Sequence, residues 1–147
     1  MTEHNYDALL LENQLCFPLY ACSREVIKRY RPHLDALGLT YTQYIVLMVV
    51  WAAGTISVRD LGKRLFLDSG TLTPVLKTME KAGYITRRRC QEDERVLMIT
   101  VTEAGLALRD KAAHIPAALA GCLTLDAQEA ATLHHLLYKV LASSGDE

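Results

Sequence analysis

Little in this 147-residue chain settles a function by its bulk properties. Net charge is only −1 at neutral pH, so overall charge points to no class of partner. No apolar run approaches the ~18 residues of a membrane span. The opening stretch MTEHNYDALLLENQ carries acidic residues where a signal peptide has a basic n-region and a long apolar h-region, so a soluble, cytoplasmic protein is expected. None of the four cysteines (Cys16, Cys22, Cys90, Cys122) lies in a C-x-x-C pair, which argues against structural zinc, and in the cytoplasm they are expected to be reduced at rest. The histidines, His4, His33, His114, His134 and His135, are scattered, and the adjacent pair diverges by about 100° on a helix; no metal or cofactor is expected. Internal repeats and low-complexity stretches are absent too, which leaves one domain of ordinary size.

What is there is unevenly distributed. Half the residues are hydrophobic, enough for a true core. Residues 1–54 carry four Lys/Arg against five Asp/Glu, residues 55–95 nine against six, and residues 96–147 three against six. The positive charge is therefore concentrated in the middle third. A first long helix is expected from about Gln14 to about His33. Pro18 must lie in its first turn or at a kink, which puts Cys16 close to a helix N-terminus. Gly38 punctuates, and Thr42–Ala53 reads as a nearly all-apolar, central helix. Ser57 with Asp60 marks the N-terminus of a short helix, with Val58, Leu61 and Leu65 on one face. After the break at Asp68-Ser69-Gly70, Leu72, Val75, Leu76, Met79 and Ala82 form one apolar stripe, and Gly83 ends that helix.

The period then changes from 3.6 to 2. Residues 84–90 and 96–101 read as strands joined by the polar turn Gln91–Arg95, a β-hairpin. Thr102 with Glu103 opens another helix, interrupted near Pro116. A last helix from about Leu125 carries Leu133, Leu136, Leu137, Val140 and Leu141 at helical spacing. Two short helices and a basic hairpin, framed by longer apolar helices, give the expected fold. It is mainly α with a small β-hairpin, a winged helix-turn-helix (about 42–101) with N- and C-terminal dimerisation arms (about 8–40 and 103–143). The arms carry more apolar surface than one small domain needs, so a homodimer is expected.

In such a fold residues 69–82 are the recognition helix, entering the major groove of double-stranded DNA. Its polar first turn, Ser69, Thr71 and Thr73, faces base edges and phosphates, where a helix N-terminus favours negative charge. Lys63, Arg64, Lys77 and Lys81 lie near backbone phosphates. Arg87, Arg88 and Arg89 lead into the wing, and Arg95 at its tip is placed to enter the minor groove, held by Asp93 through a charge-assisted bond.

The segments DSGTLTPVLKTMEKAGYITRRR and EDERVLMITVTEAG closely resemble the MarR family of bacterial transcriptional regulators. LENQLCFPLYACSREVIKRYRPHL and LGLTYTQYIVLMVVW resemble, more narrowly, its organic-hydroperoxide-sensing OhrR-type repressors. The resemblance spans about Leu11 to about Leu141 and departs visibly at Pro18, where such proteins usually carry another residue. It implies a homodimeric repressor of peroxide-resistance genes on a near-palindromic operator, in which Cys16 is oxidised by organic hydroperoxides and DNA is released. It also implies that Tyr30 and Tyr41 hydrogen-bond the reactive sulfur. Members with two cysteines form a disulfide to a second subunit, and Cys122 stands at that position; one-cysteine members need a small thiol instead.

The chemistry of Cys16 is consistent with that role. A thiolate is the nucleophile toward a peroxide, and helix N-termini and hydroxyl donors favour thiolates. Leu15, Phe17, Leu19 and Tyr20 surround the sulfur with apolar and aromatic surface suited to an organic tail. Tyr30 is fourteen residues on, about 21 Å along a continuous helix, so its contact with a sensor thiol must cross between two antiparallel first helices. Cys22 lies about 9 Å and 120° from Cys16 on the same helix and reads as core, whereas Cys90 reads as a bystander. Two other functions use the same residues: a MarR-type repressor released by a reversibly bound phenolic ligand, and a thiol peroxidase.

Overall fold

The computed structural model describes residues 5–144, so His4 lies outside the described residues. The chain divides into two compact units, Met1–Ile115 and Pro116–Glu147. After two short 3-10 turns, the first unit begins with helix α1 (Cys16–Asp35), followed by α2 (Tyr41–Ala53), strand β1 (Thr55–Ser57), α3 (Val58–Leu65), α4 (Ser69–Lys81), strands β2 (Ile85–Arg89) and β3 (Leu97–Val101), and α5 (Glu103–Ala112). Helix α6 (Ile115–Ala120) runs across the division, and α7 (Ala127–Ala142) completes the second unit.

Most helix starts are set by local capping. Thr40 and Gln43 form a capping box at α2; Ser57, Asp68 and Thr102 cap α3, α4 and α5 by accepting from the backbone N–H three residues on; Asp126 and Glu129 form a second box at α7. At α1, by contrast, the N-cap residue Leu15 offers no side-chain bond. That helix starts at Cys16, two residues later than the apolar pattern suggests. Pro18 is its third residue, where the missing N–H is unpartnered anyway. It runs unbroken through Pro32 to Asp35.

The core gathers Val46, Leu47 and Val50 of α2, Leu61 of α3, Leu72, Leu76 and Met79 of α4, and Ile85 and Ile99 of the sheet. Of the stripe expected on α4, Val75 is half-buried and Ala82 is exposed. The expected hairpin is one part of a three-stranded antiparallel sheet ordered β1-β3-β2, with Ile85 opposite Val101 and Ile56 opposite Ile99. β1 is too short to show a period, and its partner lies more than forty residues downstream.

Only Leu34 of α1 is buried, and none of α7, although Leu137 and Leu141 are half-buried. Cys22, expected in the core, is exposed, because α1 buries only the region near its C-terminal end.

The two short helices meet at a glycine. A Cβ on Gly62 of α3 would lie 2.7 Å from the carbonyl oxygen of Leu67, in the turn closed by Phe66 at φ 55°. Alanine normally favours a helix interior over glycine by about 1 kcal/mol. Here the overlap is with backbone, which has nowhere to go. Gly62→Ala is therefore expected to lower stability by about 1–3 kcal/mol in urea unfolding. Gly70→Ala, whose Cβ meets only Asp68 Oδ1 at 3.4 Å, should leave stability unchanged or slightly raised. Equal effects at the two sites would refute this account of the turn.

Candidate nucleic-acid interface and thiol site

α4 sits with one face in the core and the other in solvent. Leu72, Leu76 and Met79 are buried, while Ser69, Thr71, Thr73, Lys77 and Lys81 are all exposed on the remaining surface. Thr71 N–H donates to Asp68 Oδ1 at 2.7 Å, and this bond, with a second from the Thr71 side chain, holds the Asp68 carboxyl below its ordinary range. The Thr73 hydroxyl donates to Ser69 O at 2.7 Å, which fixes its rotamer and leaves its lone pairs outward.

A concave site of about 1140 Å³ lies between the start of α3, the start of α4 and the wing; Ser57, Arg59, Lys63, Ser69, Thr73 and Arg95 are among its lining residues. Its charged lining is Arg59, Lys63 and Arg95 against Asp60 and Asp93, and Asp93 is itself bonded to Arg95, so Arg59 and Lys63 are the cations it offers to a phosphate backbone. Arg64, Lys77 and Lys81 are exposed but do not line it. Arg59 is an addition to the residues singled out from the sequence. Its signal is its place four residues before Lys63 on one helix, which puts both on the same face.

The wing tip is organised by Asp93. Its carboxylate accepts Arg95 N–H at 3.1 Å, Nε at 3.0 Å and Nη2 at 3.2 Å, the arrangement expected for that pair. These bonds hold the Asp93 carboxyl below its usual range, yet the Arg95 side chain remains 90% exposed, aimed but unburied.

The three consecutive arginines separate. Arg88 and Arg89 are both exposed at the end of β2, whereas Arg87 is half-buried against Glu80 of α4. Glu80 Oε1 accepts from Arg87 Nε and Nη2, both at 3.2 Å, and Oε2 accepts the Arg87 backbone N–H at 3.1 Å. Arg87, expected as one of the DNA-binding arginines leading into the wing, is thus engaged in fastening β2 to α4.

Cys16 is the first residue of α1 and is exposed. Around it in sequence Leu15, Phe17, Leu19 and Tyr20 are also exposed, as are Leu9, Leu10 and Leu11. The Arg24 guanidinium lies 5.5 Å from the centre of the Tyr20 ring. Tyr30 is on the same unbroken helix, about 21 Å away by its rise. Its ring packs on Tyr41 at 5.0 Å and on Tyr44 at 5.7 Å. Burial pushes all three phenols above their ordinary pKa, so at neutral pH they remain protonated donors. Tyr44 is an addition to the pair read from the sequence.

Cys122 follows α6 in a turn rather than within a helix, and its thiol donates to Ala118 O at 3.4 Å. Cys90 is half-buried at the end of β2, its backbone N–H donating to Val96 O. His33 contacts His114 at 5.6 Å and His134 contacts Tyr138 at 4.8 Å; among the described residues no group of three or more His, Cys, Asp or Glu is placed to hold a metal ion. No helix of the described residues is long and apolar enough to cross a membrane.

Residues 25–111 match the transcriptional regulator SarA/Rot family. The chain is 48% identical over 139 residues to the organic hydroperoxide resistance transcriptional regulator of Bacillus subtilis, covering 95% of each. Reduced AbfR bound to DNA is similar in structure, with a TM-score of 0.76, 36% identity, and coverage of 90% of this chain and 92% of that one. AbfR, known from Staphylococcus epidermidis, has also been solved overoxidised on DNA and in a disulfide form. A cysteine-to-serine mutant of Escherichia coli MarR complexed with operator DNA superposes with a TM-score of 0.81 at 27% identity, covering 95% of this chain and 99% of that one. The chain belongs to the MarR and SarA/Rot group of winged helix-turn-helix regulators, in its organic-hydroperoxide-sensing branch: a redox-sensing transcriptional repressor rather than an enzyme.

Proposed function

We propose that the protein binds operator DNA as a homodimer and leaves it when an organic hydroperoxide oxidises Cys16. The observation that carries this reading is the division of the sensor chemistry along α1. An exposed thiol in an apolar collar stands at one end, and protonated tyrosine donors, Tyr30 and Tyr41, stand near the other. Two antiparallel copies of α1 bring each thiol to the other copy's tyrosines. The exposed Leu15, Phe17 and Leu19 give the contact its apolar area, and Tyr20 supplies an aromatic wall. In the reaction the Cys16 thiolate attacks one peroxide oxygen and the O–O bond breaks. The alcohol leaves with a proton, and the sulfur is left as a sulfenic acid.

On DNA, the exposed first turn of α4 (Ser69, Thr71, Thr73) reads the major groove. Lys63, Arg64, Lys77, Lys81 and Arg88 neutralise phosphates, and Arg95, steadied by Asp93, enters the minor groove. A dimer is expected to protect two half-sites about one helical turn, ~10 bp, apart or a multiple of it. Arg95→Ala should weaken operator binding severalfold. Lys77→Ala should reduce the slope of log affinity against log salt by about one if it meets a single phosphate. Unchanged binding in both variants, or a monomer on the operator, would defeat this interface.

Cys16→Ser should bind the operator normally and stay bound in cumene hydroperoxide, since serine forms no sulfenic acid. Tyr30→Phe and Tyr41→Phe should bind normally but release more slowly, each having given up one donor to the thiolate. Release of Cys16→Ser as fast as wild type would move the sensor to another thiol.

The sulfenic acid then meets the partner subunit's Cys122: the second thiol displaces water and an intersubunit disulfide forms. Non-reducing electrophoresis after hydroperoxide treatment is expected to show a covalent dimer, missing in both Cys16→Ser and Cys122→Ser. A wild-type protein that runs as a monomer, and quits DNA only with an added small thiol, would identify the one-cysteine mode instead.

A further inference from the structure

The tyrosine cluster does not end at Tyr44. The Tyr44 ring lies 6.5 Å from that of Trp51, edge to face, so Tyr30 of α1 and Tyr41, Tyr44 and Trp51 of α2 form an unbroken series of ring contacts. Trp51 is the single tryptophan of the chain. Its Nε1–H, part-buried, donates to the carbonyl oxygen of Gly105 at 2.8 Å, a bond between residues 54 apart in sequence.

Gly105 is itself held on every side. Its N–H donates to Thr102 Oγ1 at 3.1 Å. A Cβ there would stand 2.3 Å from Tyr84 O and 2.9 Å from Val101 Cγ2, so the start of α5 is in backbone contact with Tyr84. The Thr102 hydroxyl donates to Gly83 O, and the Thr102 N–H donates to Tyr84 O at 3.1 Å. Gly83 and Tyr84 terminate the recognition helix: their N–H groups donate to Glu80 O and Met79 O at 2.9 and 3.1 Å. From the Tyr41 ring to the end of α4, each step is a ring contact, a hydrogen bond or close backbone packing. Such contacts are stiff, and a small displacement of one is passed on rather than absorbed.

The geometry points to Trp51 as a positioning residue that joins the sensor tyrosines to the DNA-reading helix through the Gly105 carbonyl. This rests on the sensor role proposed for Cys16 and adds the route by which its oxidation is felt at α4. When the tyrosines exchange a thiolate for an oxidised sulfur, α2 adjusts at its start. Trp51, at its other end, carries the adjustment to Gly105 and from there to Gly83.

The test uses the full chain, an operator duplex and cumene hydroperoxide. Trp51→Phe keeps an aromatic ring but removes the donor. The reduced variant should bind the operator within about threefold of wild type, and thiol titration should show Cys16 oxidised at the wild-type rate. The ratio of reduced to oxidised affinity should nevertheless shrink by about fivefold or more. In the wild type, emission from the sole tryptophan should shift at the same hydroperoxide dose that releases DNA, and should not shift in Cys16→Ser. A variant that oxidises and releases as wild type does overturns the proposal. So does wild-type tryptophan emission unchanged through complete oxidation, a readout that stands even where Trp51→Phe fails to fold. If wild-type protein with fully oxidised Cys16 keeps its operator, the sensor role falls instead, whatever the emission does.

Discussion

Burial of one face of α4 is the constraint on which the rest of the molecule turns. Leu72, Leu76 and Met79 lie in the same core as Leu47, Leu61, Ile85 and Ile99, and each such side chain contributes about 1.5–3 kcal/mol of apolar transfer. Because those residues recur at helical spacing, the opposite face can only be solvent-facing, and it is the face that carries the threonines and lysines. The reading surface is therefore a by-product of packing. No loop conformation has to be held for it to exist. What remains is to fix the wing relative to it, and the three hydrogen bonds from Arg87 to Glu80 do that. A half-buried, multiply bonded pair of this kind has far less freedom than the exposed Lys28–Glu25 pair on α1, whose partners are both more than half exposed.

The thiol end of the molecule follows the opposite design. α1 buries one residue out of twenty within the chain, and its beginning presents leucines, a phenylalanine and Cys16 to the outside. Contiguous exposed apolar surface of this kind marks a place where another surface packs. On the proposed dimer, the same apolar area that drives association also encloses the sulfur, so assembling the dimer and building the sensor pocket are one event. On that proposal the start of α1, which has no capping side chain of its own, is completed by the partner subunit.

What could be read in the sequence divides along the range of the interactions. Caps and breaks are local, and Ser57 with Asp60, Thr102, and Gly83 were legible because their partners are within three residues. The recognition helix and both wing strands were legible from period and composition. β1 was not, since three residues show no period and their pairing is set by β3. Arg87 was indistinguishable from Arg88 and Arg89 in sequence; only the strand's alternation and a glutamate seven residues earlier separate them. Cys22 looked like a core residue because unpaired cysteines usually are, and α1 proved to have almost no core. Trp51 gave no functional signal at all, as one apolar residue in an all-apolar helix, because its partner Gly105 is brought close by tertiary structure alone.

The coupling asked of this architecture is modest in energy. A hundredfold fall in operator affinity corresponds to about 2.7 kcal/mol, comparable to a few phosphate interactions weakened together. In the dimer proposed above, two reading helices related by a two-fold axis would meet half-sites about 34 Å apart, so a change in their separation would act on both. A displacement too small to unfold anything, applied at a dimer interface between them, acts on both heads at once. On the proposed mechanism the sensor has only to favour one arrangement of two subunits over another. A buried α4 face, a fastened wing and a close-packed route to Gly83 would then let that difference reach the DNA.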